Sequence, residues 1–286
     1  MTAVLDELIT LLRLEPIEAN IFRGQSQDLG WGRVFGGQVL GQALSAARQT
    51  VDKSRHVHSF HSYFLREGDS SMPIVYNVDC IRDGRSFTTR RVVAIQKGRP
   101  IFNLSASFQI EEDGFNHQAP MPTVSPPDDL DNEHALVEKY KDLIPPPLKK
   151  RLLTDTPIEI RFADPADPLK ESSREPTNKI WLRANGQLPD DPGLHKYLLA
   201  YASDFQFLPT SLFPYGAFAF QRKVQVASLD HAMWFHRPFR MDEWLLHSVE
   251  SPTASGARGL VRGQIFNQAG DLVASTMQEG LIRDRG

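Results

Sequence analysis

The sequence predicts an α+β chain of two tandem units, each a long buried helix wrapped by an antiparallel β-sheet. Three observations point there. A nearly uncharged segment occurs twice: no charge falls from Val34 through Ala47, and Asp204 is the only formal charge from Tyr197 through Gln221. A helix apolar nearly all round must be covered on every side. Each segment is followed by strand-like runs broken by turn dipeptides. The two patterns also overlay, with Tyr63-Phe64 matching Trp234-Phe235 at an offset of 171 and Lys97-Gly98 matching Ala269-Gly270 at 172. A near-constant offset of this kind indicates internal duplication. The expected boundaries are 1–110 for the first unit, 111–157 for a proline-rich linker and 158–286 for the second unit.

In chain order, Leu5, Leu8, Ile9 and Leu12 repeat at helical spacing, so residues 4–14 read as a short amphipathic packing helix ended before Pro16. Phe35 to Ala47 reads as the first central helix, and its glycines would let other backbone approach closely. The Gly36-Gly37 pair has neither Gly-Lys-Ser/Thr nor Gly-x-Gly-x-x-Gly around it, so a phosphate loop is set aside. Strands are expected at Val57–Arg66, Ile74–Ile81, Ser86–Gln96 and Pro100–Ile110, with hairpins at Asp83-Gly84 and Lys97-Gly98. From Glu111 to Asn178 lie 11 of the 20 prolines, the mark of a connection. It leaves room for a helix at Glu133–Ile144 and an extended segment at Pro157–Phe162. Beyond it, a strand at Lys179–Ala184, a helix at Leu194–Leu208 and strands at Val224–Ala227, Met233–Arg237, Trp244–Glu250, Leu260–Asn267 and Leu272–Ile282 repeat the first pattern.

Composition narrows the function. At 41% hydrophobic and 23% charged residues the chain is ordinary for a soluble globular protein of 286 residues. A net charge of −3 gives no reason to expect a nucleic-acid or anionic-membrane partner. The N-terminus lacks a basic region followed by an apolar run, no apolar stretch is long enough to span a bilayer, and Arg283-Asp-Arg-Gly286 is not a peroxisomal address. A cytoplasmic protein is expected. Cys80 is the single cysteine, so there is no internal disulfide or multi-cysteine metal site, and it reads as a small buried hydrophobe.

Three residues carry candidate chemistry. Asp204 is expensive to desolvate in so apolar a run unless something pairs with it or uses it. The first central helix offers Gln38 and Gln42 but no acid. A requirement of the architecture should occur in both units, whereas a catalytic group need not, so Asp204 reads as a functional acid. Ser228 at the start of a strand and Gln278 in a run of small residues are hydrogen-bonding candidates, and no Gly-x-Ser-x-Gly elbow makes Ser228 an acyl-enzyme nucleophile. His231 and His236, five apart, fall on opposite faces of a strand, as do His58 and His61, three apart, so neither pair forms a metal site.

The runs Val34-Phe-Gly-Gly-Gln-Val-Leu-Gly-Gln-Ala-Leu44, His56-Val-His-Ser-Phe-His-Ser-Tyr-Phe-Leu65, Tyr201-Ala-Ser-Asp204, Leu229-Asp-His-Ala-Met-Trp-Phe-His-Arg-Pro-Phe239 and Ala274-Ser-Thr-Met-Gln-Glu-Gly280 resemble the acyl-CoA thioesterase II family, closest to its bacterial enzymes. The resemblance runs from about Phe22 to Arg283. It implies a double hotdog fold, hydrolysis of acyl-CoA to fatty acid and coenzyme A, no cofactor, and a homo-oligomer, either dimer or tetramer. The family's Asp, Thr or Ser, and Gln trio falls on Asp204, Ser228 and Gln278, with serine where threonine is common. Asp204 would act as base or water orienter with Ser228 and Gln278 fixing the water, and Phe205, Phe207, Leu208 and Phe213 are candidate linings for the acyl channel. The competing readings are a hotdog hydratase or dehydratase using His231, and an acyl-CoA-binding protein without chemistry.

Overall fold

Two helices lie side by side at the centre, and two glycine contacts explain how close they come. A computed structural model describes residues 2–30, 32–139, 153–164, 173–216 and 224–285. Helix α1 spans Ala3–Leu12, α2 Gly36–Arg48, α3 Glu133–Lys139 and α4 Pro192–Ala202. Every residue of α2 from Gly37 to Ala47 is buried. On the face toward α4, a β-carbon at Gly37 would lie 2.2 Å from the Tyr201 carbonyl, and one at Gly41 would lie 3.1 Å from the Tyr197 carbonyl. The small residues read from the sequence as sites of close backbone approach therefore form the helix–helix contact. Helix α1 covers another side of α2, with Leu5, Leu8, Ile9 and Leu12 buried.

Strands β1 (Glu15–Glu18), β2 (Ile21–Gly24), β3 (Arg55–Phe64), β4 (Ile74–Asp83), β5 (Phe87–Gln96) and β6 (Arg99–Ile110) belong to the first unit. The second holds β7 (Ile158–Phe162), β8 (Thr177–Ala184), β9 (Val224–Ser228), β10 (Asp230–Phe235), β11 (Leu245–Ser255), β12 (Arg258–Asn267) and β13 (Leu272–Asp284). Among the described residues all pair into one antiparallel sheet in the order β1-β2-β4-β5-β6-β3-β10-β13-β12-β11-β8-β7, with β9 beside β13. The order is mirrored about the β3–β10 seam, where Ser59 faces Trp234 and Tyr63 faces Asp230. Duplication in the sequence thus becomes a continuous double hotdog. Lys97 and Gly98 both take positive φ, 51° and 70°, the left-handed pair that a two-residue hairpin needs.

The buried glutamines of α2 have structural partners. Gln42 accepts from the Tyr76 hydroxyl at 2.6 Å and donates to the Leu11 and Gln25 carbonyls, while Gln38 donates to Gln25. They tie the helix to the chain before it. The stretch before β7 packs on the later strands: Met121, Val124 and Leu130 lie against Trp181, Trp244 and Leu246, and the Trp181 indole donates to the Ser125 carbonyl at 2.9 Å. No helix of the described residues is long and apolar enough to cross a membrane.

Several sequence expectations change. The second central helix stops at Ala202 instead of Leu208. Asp204 lies in the turn beyond its C-cap Ser203, and a 3₁₀ segment, Leu208–Tyr215, follows. Pro209 and Pro214 interrupt any continuation, since proline cannot donate the intrahelical bond. Cys80 is exposed, because β4 turns from alternating burial to full exposure at Asp79. Of the helix expected at Glu133–Ile144, the part beyond Lys139 lies outside the described residues.

Candidate active site

The end of α4 and two neighbouring strands converge on one amide. Gln278, on β13, is fully buried, with 0% of its surface exposed. Its Nε2 donates to Asp204 Oδ1 at 3.2 Å and to Ser228 Oγ at 2.5 Å. Both amide hydrogens are thereby committed, one to the carboxylate and one to the hydroxyl. The three residues singled out in the sequence, 74 and 50 positions apart along the chain, meet at a single nitrogen.

A β-bulge sets the aim of two of them. Ser228 faces Gly280 in the β9–β13 pairing, yet Ala232 faces Met277 in β10–β13, so Leu229, Asp230 and His231 sit opposite only Gln278 and Glu279. Asp230 Oδ1 caps the Glu279 amide at 2.6 Å, supporting the irregularity. Such an extra residue bends the strand and redirects its side chains.

The first unit completes the site. Asp204 also accepts the Gly37 amide at the start of α2, and a β-carbon at Gly36 would fall 2.6 Å from Asp204 Oδ2. Only a glycine leaves that oxygen its place. Burial pushes the Asp204 carboxyl up to about 6, partly opposed by the bonds from Gln278 and Gly37 that favour the ionised form.

A cavity of about 420 Å³ opens beside Asp204 and Ser228 and draws its walls from both units. Val34, Phe35, Phe64, Ile101, Phe102 and Leu208 make it largely apolar, and Arg33 and Arg66 also line it. Of the four residues expected along an acyl channel, only Leu208 lines this cavity. Phe207 is buried between His231 and His247, Phe205 stacks on Phe35 at 4.5 Å, and Phe213 lies under the Arg174 guanidinium at 3.5 Å. The lining side chains come instead from before α2, from the end of β3 and from β6, parts of the chain that give no periodic signal of facing a ligand.

His231 is buried and lies behind Gln278, with no surface on the cavity, whereas His236 is exposed on the other face, so the pair does not converge. Among the described residues no three His, Cys, Asp or Glu side chains come close enough to share a metal ion. The arrangement can hold a water between a basic carboxylate and a hydroxyl whose own proton is free to donate, next to an apolar slot.

Residues 26–109 match the family model described as the acyl-CoA thioesterase N-terminal domain, and residues 150–281 match that described as acyl-CoA thioesterase. The chain is 45% identical over 283 residues to acyl-CoA thioesterase 2 of Haemophilus influenzae, with 99% of each chain covered. It is 44% identical over 286 residues to human acyl-coenzyme A thioesterase 8, covering 96% of this chain and 88% of that one. Among solved structures it is similar to acyl-CoA thioesterase II TesB2 of Mycobacterium marinum, at 42% identity and a TM-score of 0.79, covering 98% of this chain and 99% of that one. Two family models in tandem and this similarity across its length establish that the chain belongs to the acyl-CoA thioesterase II family, a family of thioester hydrolases.

Proposed function

We propose that the chain hydrolyses fatty acyl-CoA to free fatty acid and coenzyme A, using a water held by Asp204 and Ser228, both of which Gln278 positions. The observation that carries the reading is the Gln278 amide nitrogen, bonded to both Asp204 and Ser228 at the wall of an apolar cavity. Gln278 spends its hydrogens on those two groups, so Ser228 can donate its own proton to the water and Asp204 can accept one from it. The hydroxide adds to the thioester carbonyl carbon. The oxygen that becomes negative takes a hydrogen bond from the backbone amide of Gly36, at the N-terminus of α2 where the helix dipole favours negative charge. Collapse of the intermediate expels the coenzyme A sulfur, which receives the proton held on Asp204.

The apolar lining suits the acyl chain, and on the same wall Arg66, beside the Arg33–Glu67 ion pair at 3.1 Å, supplies positive charge toward the phosphates of coenzyme A. A homo-oligomer, dimer or tetramer, is part of the same proposal and is read by light scattering. A hydratase using His231 is disfavoured by the burial of that ring behind Gln278. Palmitoyl-CoA with a thiol reagent tests the reading. Coenzyme A should appear with the wild type, and Asp204→Asn should remain folded while losing about two orders of magnitude or more of turnover, the scale of a general base. A fully active Asp204→Asn protein would remove Asp204 from this role. Binding without turnover by the wild type would leave the non-catalytic alternative.

A further inference from the structure

A carboxamide reads almost the same after its oxygen and nitrogen exchange places, and only one of the two orientations of Gln278 suits the site. With Nε2 toward Asp204 and Ser228, both contacts are donor to acceptor; reversed, an oxygen would face a carboxylate. Something at the other end of the amide must hold it. Gln278 Oε1 is buried and meets no other polar group in ordinary hydrogen-bond geometry, and the same is true of His231 Nδ1. These two orphans belong to facing residues. One step beyond the Ala232–Met277 pair, the β10–β13 register sets His231 against Gln278, and both side chains are fully buried.

The surroundings narrow the state of the ring. Phe60 stacks on it at 6.0 Å and Phe207 lies at 5.6 Å, leaving little to solvate a charge; Phe207 also contacts His247, the titratable group coupled to it by charge. Burial pulls the His231 imidazole down to about 3, and the Gln278 carboxamide is the group that opposes this. A neutral ring carries one proton. Placed on Nε2, it would leave the Nδ1 lone pair facing Oε1, two acceptors in a dry interior. Placed on Nδ1, it joins the two orphans, and Nε2 is then free to accept from the Ser203 hydroxyl at 3.1 Å. That hydroxyl is also 2.9 Å from the Ala200 carbonyl and turns toward the ring in this arrangement.

We infer that His231 is a positioning residue: it keeps its proton on Nδ1 and donates it to Gln278 Oε1, so that Gln278 presents only its NH₂ group to Asp204 and Ser228. Ser203, which holds the far side of the ring, is the residue next to Asp204, so the imidazole braces both arms of the site. The inference rests on the hydrolytic reading only for its kinetic consequence.

Two measurements test it. Nitrogen-15 NMR of the histidine-labelled wild type should place the His231 ring in the Nδ1–H tautomer across neutral pH. An Nε2–H tautomer or a charged ring overturns the proposal, whatever the protein's activity. Kinetically, His231→Leu should lower kcat by roughly tenfold or more with KM little changed, the scale on which outer hydrogen-bond partners act. It should also move the acid limb of kcat/KM to higher pH, because Asp204 loses a fixed donor. His231→Asn, whose amide can replace the Nδ1–H, should recover most of both. If the two variants lose melting temperature alike and keep the wild-type kcat and acid limb, His231 is only a packing residue and the inference fails. An inactive wild type or a fully active Asp204→Asn would instead count against the hydrolytic reading, leaving the tautomer result standing.

Discussion

Asp204 Oδ2 occupies the space that a side chain at position 36 would fill: a β-carbon on Gly36 would lie 2.6 Å from it. The carboxylate and the start of α2, which come from different units, are fitted to one another. Gly36→Ala should therefore displace the acid. Its backbone is helical and tolerates alanine, so the melting temperature should change by only a few degrees while kcat/KM falls about tenfold or more. Gly37→Ala is the contrast. Its β-carbon would meet the Tyr201 carbonyl at 2.2 Å, a backbone atom that cannot swing away, so the helices must separate at about 1–3 kcal/mol or more. Thermal melts and initial rates on the two variants distinguish the effects.

Activity should follow the ionisation of Asp204. With its carboxyl raised to about 6, the base is protonated in acid, and kcat/KM should rise with pH through about 6 and then level off. Stability responds in the opposite sense. The folded-state value lies above the unfolded one, so the buried charge opposes folding at neutral pH, and that penalty is relieved as pH falls through 6 toward 4. Asp204→Asn should accordingly be more stable than the wild type at pH 7, by about 3 kcal/mol, and the gap should largely close near pH 4. Calorimetry at the two pH values measures it.

Acid should nonetheless unfold the whole protein through its histidines. Burial holds His231 and His247 down to about 3, whereas in the unfolded chain they titrate near 6.5. Their contribution is fully present above about 6.5 and is lost as pH falls toward 3, because only the unfolded state takes up the protons. Two such groups give a slope approaching about 2.7 kcal/mol per pH unit below 6. Urea titrations between pH 7 and 4.5 should show it, and replacing His247 by Gln should halve the slope.

Ser228 is expected to work through its hydroxyl alone. Its oxygen accepts from Gln278 at 2.5 Å, so Ser228→Ala should lower kcat by roughly one to two orders of magnitude with an unchanged fold. Ser228→Thr keeps the oxygen and should retain most activity. A well-folded but inactive threonine variant would place the hydroxyl outside the reaction.

Much of this was legible in the sequence because burial writes itself into charge. The uncharged run from Val34 to Ala47 marked a helix covered on all sides, and Asp204 stood out because nothing near it in sequence shared its charge. Repetition of strand spacing disclosed the tandem units. Where the reading failed, local pattern was misleading. Tyr197 to Leu208 is apolar enough for one long helix, but the chain leaves helical geometry after Ala202, and Asp204 owes its position to the turn. Cys80 looked like an interior residue within an alternating run that loses its partnered face at Asp79. Pairing across the bulge at Leu229–His231, and with it the approach of His231 to Gln278, depends on register between strands some 45 residues apart, which no local window contains.

The mirrored order of the sheet has a countable outcome. Although the strands repeat on either side of the β3–β10 seam, the acid, the serine and the glutamine all reside in the later half, so the chain is furnished at one pole only. Titration with a non-hydrolysable thioether analogue should reach saturation at one equivalent per polypeptide, not two, however many copies assemble.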